Sequence, residues 1–273
     1  MGVGLRVHPL VFGILNVTAD SFSDGGKYLA PEAAIAHGRA LSTLGADVVD
    51  VGPASSHPDG APVSADEEIR RLRPVVAAFA EEGIAFSVDS FLPETQAFAL
   101  KAGAAYLNDI QGFRDADFYP TLAAASAKLV VMHSIQAHGP ATRAGAPSGP
   151  IFDHVCRFFD GRLEAMTGAG IARDRLILDP GLGFFLGDRP EPSFEMLARL
   201  GDLKARYGLP VLVSLSRKSF LRAVTGREVQ DIGAATLAGE LFAVRHGADY
   251  IRTHDPGALR DGLVVWNRLG EPP

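Results

Sequence analysis

Eight short apolar runs in this 273-residue chain each give way to polar or ionisable residues. In order these are Asn16, Asp50, Asp89, Asn108 with Asp109, His133, Asp179, the run Ser214-Leu215-Ser216-Arg217-Lys218, and Arg252 with His254. A lone Asp after a strand is ordinarily a helix cap or a turn former. Eight such positions in register converge at one end of a sheet, and burying that many polar groups is costly unless a ligand or a network satisfies them. The set has a chemical logic. Asp89, Asn108 and Asp179 suit a planar heterocycle with adjacent N–H donors and carbonyl acceptors. Arg217, Lys218, Arg252 and His254 place positive charge beside them, as a phosphate group requires. Asn16 heads the segment Asn16-Val17-Thr18-Ala19-Asp20-Ser21, a source of hard oxygen ligands for Mg²⁺. A polar heterocycle joined to a diphosphate matches this combination.

Other features carry less. Gly181-x-Gly183 followed by Gly187 lacks the dinucleotide-binding spacing. His133 and His138 have no further ligands to make a zinc site. No Gly-x-Ser-x-Gly elbow surrounds Ser214 or Ser216, so a serine nucleophile is not expected. His246 before Gly247 reads as the end of a helix, and Phe158-Phe159 as helix core.

Elements must bring these residues together. The apolar runs 9–15, 46–51, 84–88, 104–107, 128–132, 174–178, 209–213 and 248–252 are nearly continuous, as parallel strands buried on both faces require. Helix-like segments lie between them at 32–44, 65–82, 93–102, 151–168, 193–207 and 231–246. Gly45, Gly83, Gly103, Gly170, Gly208 and Gly247 punctuate their ends. Eight such units favour a (β/α)₈ TIM barrel over a doubly wound open sheet, with 1–273 as a single domain. The longest irregular segments, 16–31, 52–64 and 134–150, each follow a strand, where barrel loops carry function.

Composition narrows the function class. Hydrophobic residues make up 47% and charged residues 21%, which excludes wholesale disorder. The 26 Lys+Arg against 32 Asp+Glu give a formal charge of -6, the reverse of a general nucleic-acid binder. One cysteine, Cys156, permits neither an internal disulfide nor a thiolate metal cluster. No apolar run approaches the roughly 18 residues of a membrane span, so the expectation is a soluble cytoplasmic protein with no nucleic-acid or membrane partner.

The motifs resemble those of the dihydropteroate synthase family nearly end to end. They are Gly13-Ile14-Leu15-Asn16-Val17-Thr18-Ala19-Asp20-Ser21-Phe22-Ser23-Asp24-Gly25-Gly26, Asp50-Val51-Gly52, Ser87-Val88-Asp89-Ser90, Asn108-Asp109-Ile110, Val131-Met132-His133, Leu178-Asp179-Pro180-Gly181, Ser216-Arg217-Lys218-Ser219 and Arg252-Thr253-His254. The resemblance implies a homodimeric TIM barrel that joins 6-hydroxymethyl-7,8-dihydropterin diphosphate to p-aminobenzoate, releasing diphosphate in folate biosynthesis. It implies that Asp89, Asn108, Asp179 and Lys218 hold the pterin. Asn16, Arg252 and His254 would hold diphosphate, with Asn16 also binding Mg²⁺. Ser56, His57, Pro58, Phe184 and Ser216 would receive p-aminobenzoate, and Asp89, Lys218, Arg252 and His254 would carry the chemistry.

Two departures stand out. The family's second loop usually reads Gly-Gly-Glu-Ser-Thr-Arg-Pro, and in this chain it is Gly52-Pro53-Ala54-Ser55-Ser56-His57-Pro58. The segment Leu182-Gly183-Phe184-Phe185-Leu186-Gly187 is about two residues longer than the common pattern and lacks its Lys. Both are similar to the sulfonamide-resistant (Sul-type) branch. The expectation is an enzyme that accepts p-aminobenzoate and rejects sulfonamides, through 182–187 or through His57. Loops 16–31 and 52–64 are expected to order over bound substrates. The competing readings are a pterin-binding methyltransferase-type barrel and a non-catalytic pterin binder.

Overall fold

A computed structural model of the chain describes residues 8–18, 31–136 and 138–270. Strands and helices alternate in the order β1 (Leu10–Asn16), α1 (Pro31–Thr43), β2 (Val48–Gly52), α2 (Ala65–Glu82), β3 (Phe86–Asp89), α3 (Pro93–Lys101), β4 (Tyr106–Asp109), α4 (Tyr119–Ala124), β5 (Lys128–Met132) and α5 (Ile151–Gly168). The order continues with β6 (Leu176–Asp179), α6 (Glu191–Ala198), α7 (Leu200–Tyr207), β7 (Leu212–Ser214), α8 (Ser219–Thr225), α9 (Gly233–Arg245), β8 (Tyr250–Thr253) and α10 (Pro256–Gly270). Every strand pair is parallel, in the order β6-β5-β4-β3-β2-β1-β8-β7. A single bridge between Leu178 and Val211 closes the ring, with Leu178 N–H donating to Pro210 O at 2.9 Å. The expected TIM barrel is the architecture.

Most strands begin one to three residues later than the apolar runs, and β5 begins where its run does. Ile84 and Ala104 pack as they enter the sheet, and pairing starts at Phe86 and Tyr106. The ladders therefore extend into Asn16, Asp89, Asn108, Asp109 and Asp179, so these polar residues are strand residues with a fixed orientation. Side chains alternate across a strand with period two. One parity, including Val11, Val49, Val88, Leu107, Leu129, Leu176, Val213 and Ile251, packs under the helices in the main core. The other parity holds Phe12, Val48, Val130, Ile177, Leu212 and Tyr250, which with Tyr106 form a separate cluster filling the barrel. Phe12, Tyr106 and Tyr250 meet edge to face at 4.9–6.3 Å.

The helix-like segment 193–207 is two helices. They join at Arg199 (φ -110, ψ 17), whose guanidinium lies 3.6 Å from the centre of the Phe152 ring. Leu197, Leu200 and Leu203 all stay buried across the break, so the apolar period survives while the hydrogen-bond ladder does not. Three helices have no counterpart in the sequence pattern: α4 and α8 are only 6 and 7 residues long, and α10 follows the last strand. The long helix α2 shows its start in the sequence, since Ser64 caps it by accepting Glu67 N–H at 3.3 Å and Gly83 ends it at φ 68.

Candidate active site

Two residues beyond the apolar cluster, the inward parity turns polar. Above Val48 stands Asp50, above Tyr106 Asn108, above Ile177 Asp179, above Leu212 Ser214 and above Tyr250 Arg252, with Asp89 on β3 beside Asn108. The barrel thus carries an apolar floor and a polar layer at the carboxyl ends of its strands, where barrel enzymes place their sites. Asp50, Ser87, Asn108 and Ser214 each bury an oxygen (Oδ1, Oγ, Oδ1 and Oγ) that has no protein partner. Such atoms are costly, and several around one space call for a ligand that pairs with them.

Arg252 organises the layer. Its Nε donates to Asp50 Oδ2 at 2.5 Å and its Nη2 to Asp89 Oδ2 at 2.7 Å, so one guanidinium bridges two carboxylates. Burial opposes the charge on Arg252, but Asp50 and Asp89 hold its pKa above the ordinary value. Burial raises the Asp89 carboxyl, Arg252 opposes this, and Asp50 and Asp109 add to it. Burial likewise lifts Asp179 to about 6 against the Gly181 N–H, which donates to its Oδ1 at 2.8 Å, and against Lys218. Lys218 is lowered to about 8 by burial despite Asp179, and its Nζ lies 5.1 Å from the Phe185 ring centre. His254 is driven to about 3, first by burial and then by Arg217, Arg252, Lys218 and His37. Its ring is neutral at physiological pH.

A cavity of about 430 Å³ opens over this layer. Every residue expected to form a site lines it except Asn108 and Asp179, which lie in the polar layer beneath. Ser216 differs in its engagement: its Oγ accepts His254 N–H at 3.2 Å and meets His254 Nδ1 at 2.9 Å, so the hydroxyl holds the histidine ring. The two phenylalanines divide. Phe185 is buried with Ile110, Met132 and Ala141, while Phe184 stays partly exposed at the cavity and meets the His57 ring edge to face at 6.1 Å. His57 Nδ1 accepts Asp59 N–H at 3.3 Å.

The 134–150 segment straps these pieces together. Ile135 N–H donates to Phe185 O and Gln136 Nε2 to Phe184 O, while Ala141 N–H donates to Ser56 O. Arg143 forks onto both oxygens of Asp59, at 2.8 and 2.6 Å. Of the first loop, residues 19–30 lie outside the described residues.

His133 plays a different part from that of a metal ligand. It is fully buried, with Nδ1 3.1 Å from Pro180 O and Nε2 3.0 Å from His154 Nδ1. Burial lowers it to about 3, with His154 and against Pro180 O. A carbonyl only accepts, so Nδ1 carries the proton and Nε2 receives one from His154. The Asp179-Pro180-Gly181 turn rests on this pair. Only glycine fits at 181 (φ 73), because a side-chain carbon there would stand 2.0 Å from His133 O.

Sequence alone assigns no role to Asp50, Ser219 or Arg222. Asp50 is visible as a strand end, but its pairing with Arg252 needs β2 and β8 to flank β1. Arg222 sits on α8, which carries no helical signal long enough to read. No group of three or more His, Cys, Asp or Glu among the described residues is arranged to hold a metal.

Residues 12–254 match the family model described as pterin binding enzyme. The chain is 62% identical over 262 residues to dihydropteroate synthase type-2 of Escherichia coli, covering 96% of each. It superposes on Xanthomonas albilineans dihydropteroate synthase with 4-aminobenzoic acid at TM-score 0.87 and 37% identity, covering 97% of this chain and 94% of that one. The same enzyme in complex with 7,8-dihydropteroate gives TM-score 0.84 and 37% identity, covering 97% and 95%. A buried polar layer beside a cationic cluster and matches over the whole barrel converge: the chain belongs to the pterin-binding enzyme family of the dihydropteroate synthases.

Proposed function

We propose that the protein condenses 6-hydroxymethyl-7,8-dihydropterin diphosphate with p-aminobenzoate, giving 7,8-dihydropteroate and diphosphate. The observation that carries this is the juxtaposition of a buried Asp89–Asn108–Asp179 layer with Lys218, Arg252 and His254 around one cavity. The carboxylates and Asn108 Oδ1 are acceptors for the N–H edge of the heterocycle, and Lys218 donates to its ring acceptors. Arg252 and the Nε2 side of His254 face the diphosphate. As the methylene C–O bond breaks, the electron pair leaves with diphosphate, and Asp89 stabilises the positive charge left on the pterin methylene. The arylamine nitrogen then bonds to that carbon and loses its proton. The chain needs no nucleophile of its own, because the arylamine nitrogen supplies it, and the Ser216 hydroxyl is engaged in holding the His254 ring.

Asn16 fits a Mg²⁺ ion as a single neutral oxygen ligand. It is exposed at the strand end, and its Oδ1 stands 3.3 Å from where Gly52 would carry a side chain. Mg²⁺ ordinarily keeps waters and takes the rest of its shell from substrate phosphates, so no all-protein cage is required. Bound there, the ion supplies neutralisation of diphosphate charge.

Arylamine selectivity is assigned to Phe184. A carboxylate is planar and small, whereas a sulfonamide is tetrahedral at sulfur with a further substituent. Phe184 and Phe185 both line the cavity, Phe184 partly exposed and Phe185 buried in the turn, and the more exposed Phe184 wall supports steric rejection of sulfonamides. A homodimer is supported by apolar side chains exposed on α8–α10, with Val224 55%, Val265 59% and Leu269 80% exposed. No helix among the described residues is long and apolar enough to cross a membrane, and cytoplasmic action is part of this reading.

A methyltransferase-type barrel or a silent binder would leave Arg252, His254 and the diphosphate end without purpose. Mass identification of dihydropteroate from the purified protein, both substrates and Mg²⁺ tests the proposal. Pterin binding without product would overturn it.

A further inference from the structure

Charge accounting around the cavity leaves two guanidiniums over. Arg252 is matched by Asp50 and Asp89, and Lys218 lies in the field of Asp179 and Asp89. Arg143, above the second loop, is tied to Asp59. Arg217 and Arg222 line the cavity, and neither forms an ion pair or a side-chain hydrogen bond with another described residue. They part by neighbourhood. The field of Arg217 acts on His254 and His37, which places it at the diphosphate end. Arg222 lies one turn along α8 from Ser219, on the wall against which the 183–185 turn packs. A side-chain carbon on Gly183 would stand 3.4 Å from Lys218 Cδ and 3.8 Å from Ser219 Oγ, so the turn that carries Phe184 closes directly on α8.

The Nε of Arg222 is buried and has no partner among the described residues. A buried donor on a charged group with nothing to bond is costly, and an anion in the cavity relieves that cost. On the facing side, His57 is turned against Phe184 and receives Asp59 N–H, and Arg143, 6.0 Å from the Phe184 ring centre, is tied to Asp59. We infer that Arg222 binds the carboxylate of the arylamine substrate, so that the site selects an anionic head group by charge as well as by shape. This rests on the arylamine reading above. A guanidinium meets a carboxylate with parallel N–H donors, a pairing that a neutral head of the same size does not reproduce.

The test compares p-aminobenzoate with p-aminobenzamide, which keeps the ring and amine but is neutral. Initial rates are measured at saturating dihydropterin diphosphate for the parent, Arg222→Gln and Arg222→Lys. A charge-assisted contact of this kind corresponds to about 10- to 100-fold in affinity. The parent should prefer the acid by that ratio. Arg222→Gln should raise KM for the acid by the same factor, leaving KM for the amide and for the pterin substrate unchanged. Arg222→Lys should recover most of the loss. A parent indifferent to acid and amide overturns the inference without any variant. So does an Arg222→Gln enzyme with unchanged KM for the acid, or with KM raised equally for both amines. No dihydropteroate from the parent under any condition would overturn the reading beneath, and the inference with it.

Discussion

Replacing Asp50 with asparagine probes the charge arrangement at the centre of the polar layer. Asp50 is 0% exposed, and its Oδ2 lies 2.5 Å from Arg252 Nε, while Oδ1 has no partner. Asparagine keeps the shape and can still present an oxygen to Nε, so no cavity forms. What is lost is the Asp50 charge: an ion pair becomes a hydrogen bond from the still-charged guanidinium to a neutral amide oxygen. The new NH₂ falls where Oδ1 found no partner, so it too stays unsatisfied. Removing one partner of a buried ion pair costs about 3–5 kcal/mol, but Asp89 at 2.7 Å still faces Arg252 and limits the damage. The expected destabilisation is therefore about 2–3 kcal/mol, or about 4–12 °C in Tm for a chain of this size. Arg252, held by Asp89 alone, should swing from its bridging position. We expect kcat to fall about tenfold or more, equivalent to about 1.4 kcal/mol of barrier, with KM for p-aminobenzoate unchanged. Scanning calorimetry and steady-state rates on Asp50→Asn measure both. An unchanged Tm, or a loss confined to KM for p-aminobenzoate, would refute the idea that Asp50 holds Arg252 for the diphosphate end.

Four further outcomes follow from the site. The kcat/KM profile against pH should fall on the acid side between about 7 and about 6, where Asp89 and Asp179 protonate, and on the alkaline side near 8, where Lys218 loses its proton; Lys218→Arg should abolish the alkaline limb if the enzyme stays active. Burial lowers His133 to about 3 in the folded chain against an unfolded 6.5, so its contribution to stability is complete above pH 6.5 and is lost as pH falls toward 3; the Tm difference between parent and His133→Gln should shrink over that window, although Asp179 and Asp109, raised to about 6, act in the opposite sense in both proteins. Shortening the chain by Gly183-Phe184 should lower sulfonamide inhibition constants by about a thousandfold, or about 4 kcal/mol, with p-aminobenzoate still used; an active but equally insensitive variant would pass the role to His57, tested by His57→Arg. Asn16→Ala should weaken the Mg²⁺ dependence of turnover more than it weakens binding of a bare pterin, and equal Mg²⁺ dependence would contradict the assignment.

The barrel was legible because its signal is redundant. Eight apolar runs, six of them followed by a helix-like segment that ends at a glycine, leave few alternatives, and the polar residue after each run marks the functional end. Strand starts were less legible, since Ile84 and Ala104 are as apolar as the residues that pair and differ only in lying before the ladder. The polar layer was readable because Asp89, Asn108 and Asp179 each follow an apolar run, which puts them at the same end of the sheet. Partnerships were not readable. Arg252 meets Asp50 across 202 residues, Ser216 meets His254 across 38, and His133 meets His154 across 21. No local pattern encodes these distances; barrel closure does. The division between Phe184 and Phe185 was likewise hidden, because two adjacent identical residues differ only in which way a 3₁₀ turn points them.

The central claim is that the cavity exchanges diphosphate for an arylamine at the pterin methylene carbon. The most direct measurement places ¹⁸O in the bridging methylene–phosphate position of the dihydropterin diphosphate and follows it by mass spectrometry. Cleavage of the C–O bond predicts that all of the label leaves with diphosphate, in equal amount to unlabelled dihydropteroate. Label retained on a hydroxymethylpterin product would show P–O cleavage instead, and would contradict the roles of Asp89, Arg252 and His254 in breaking the C–O bond.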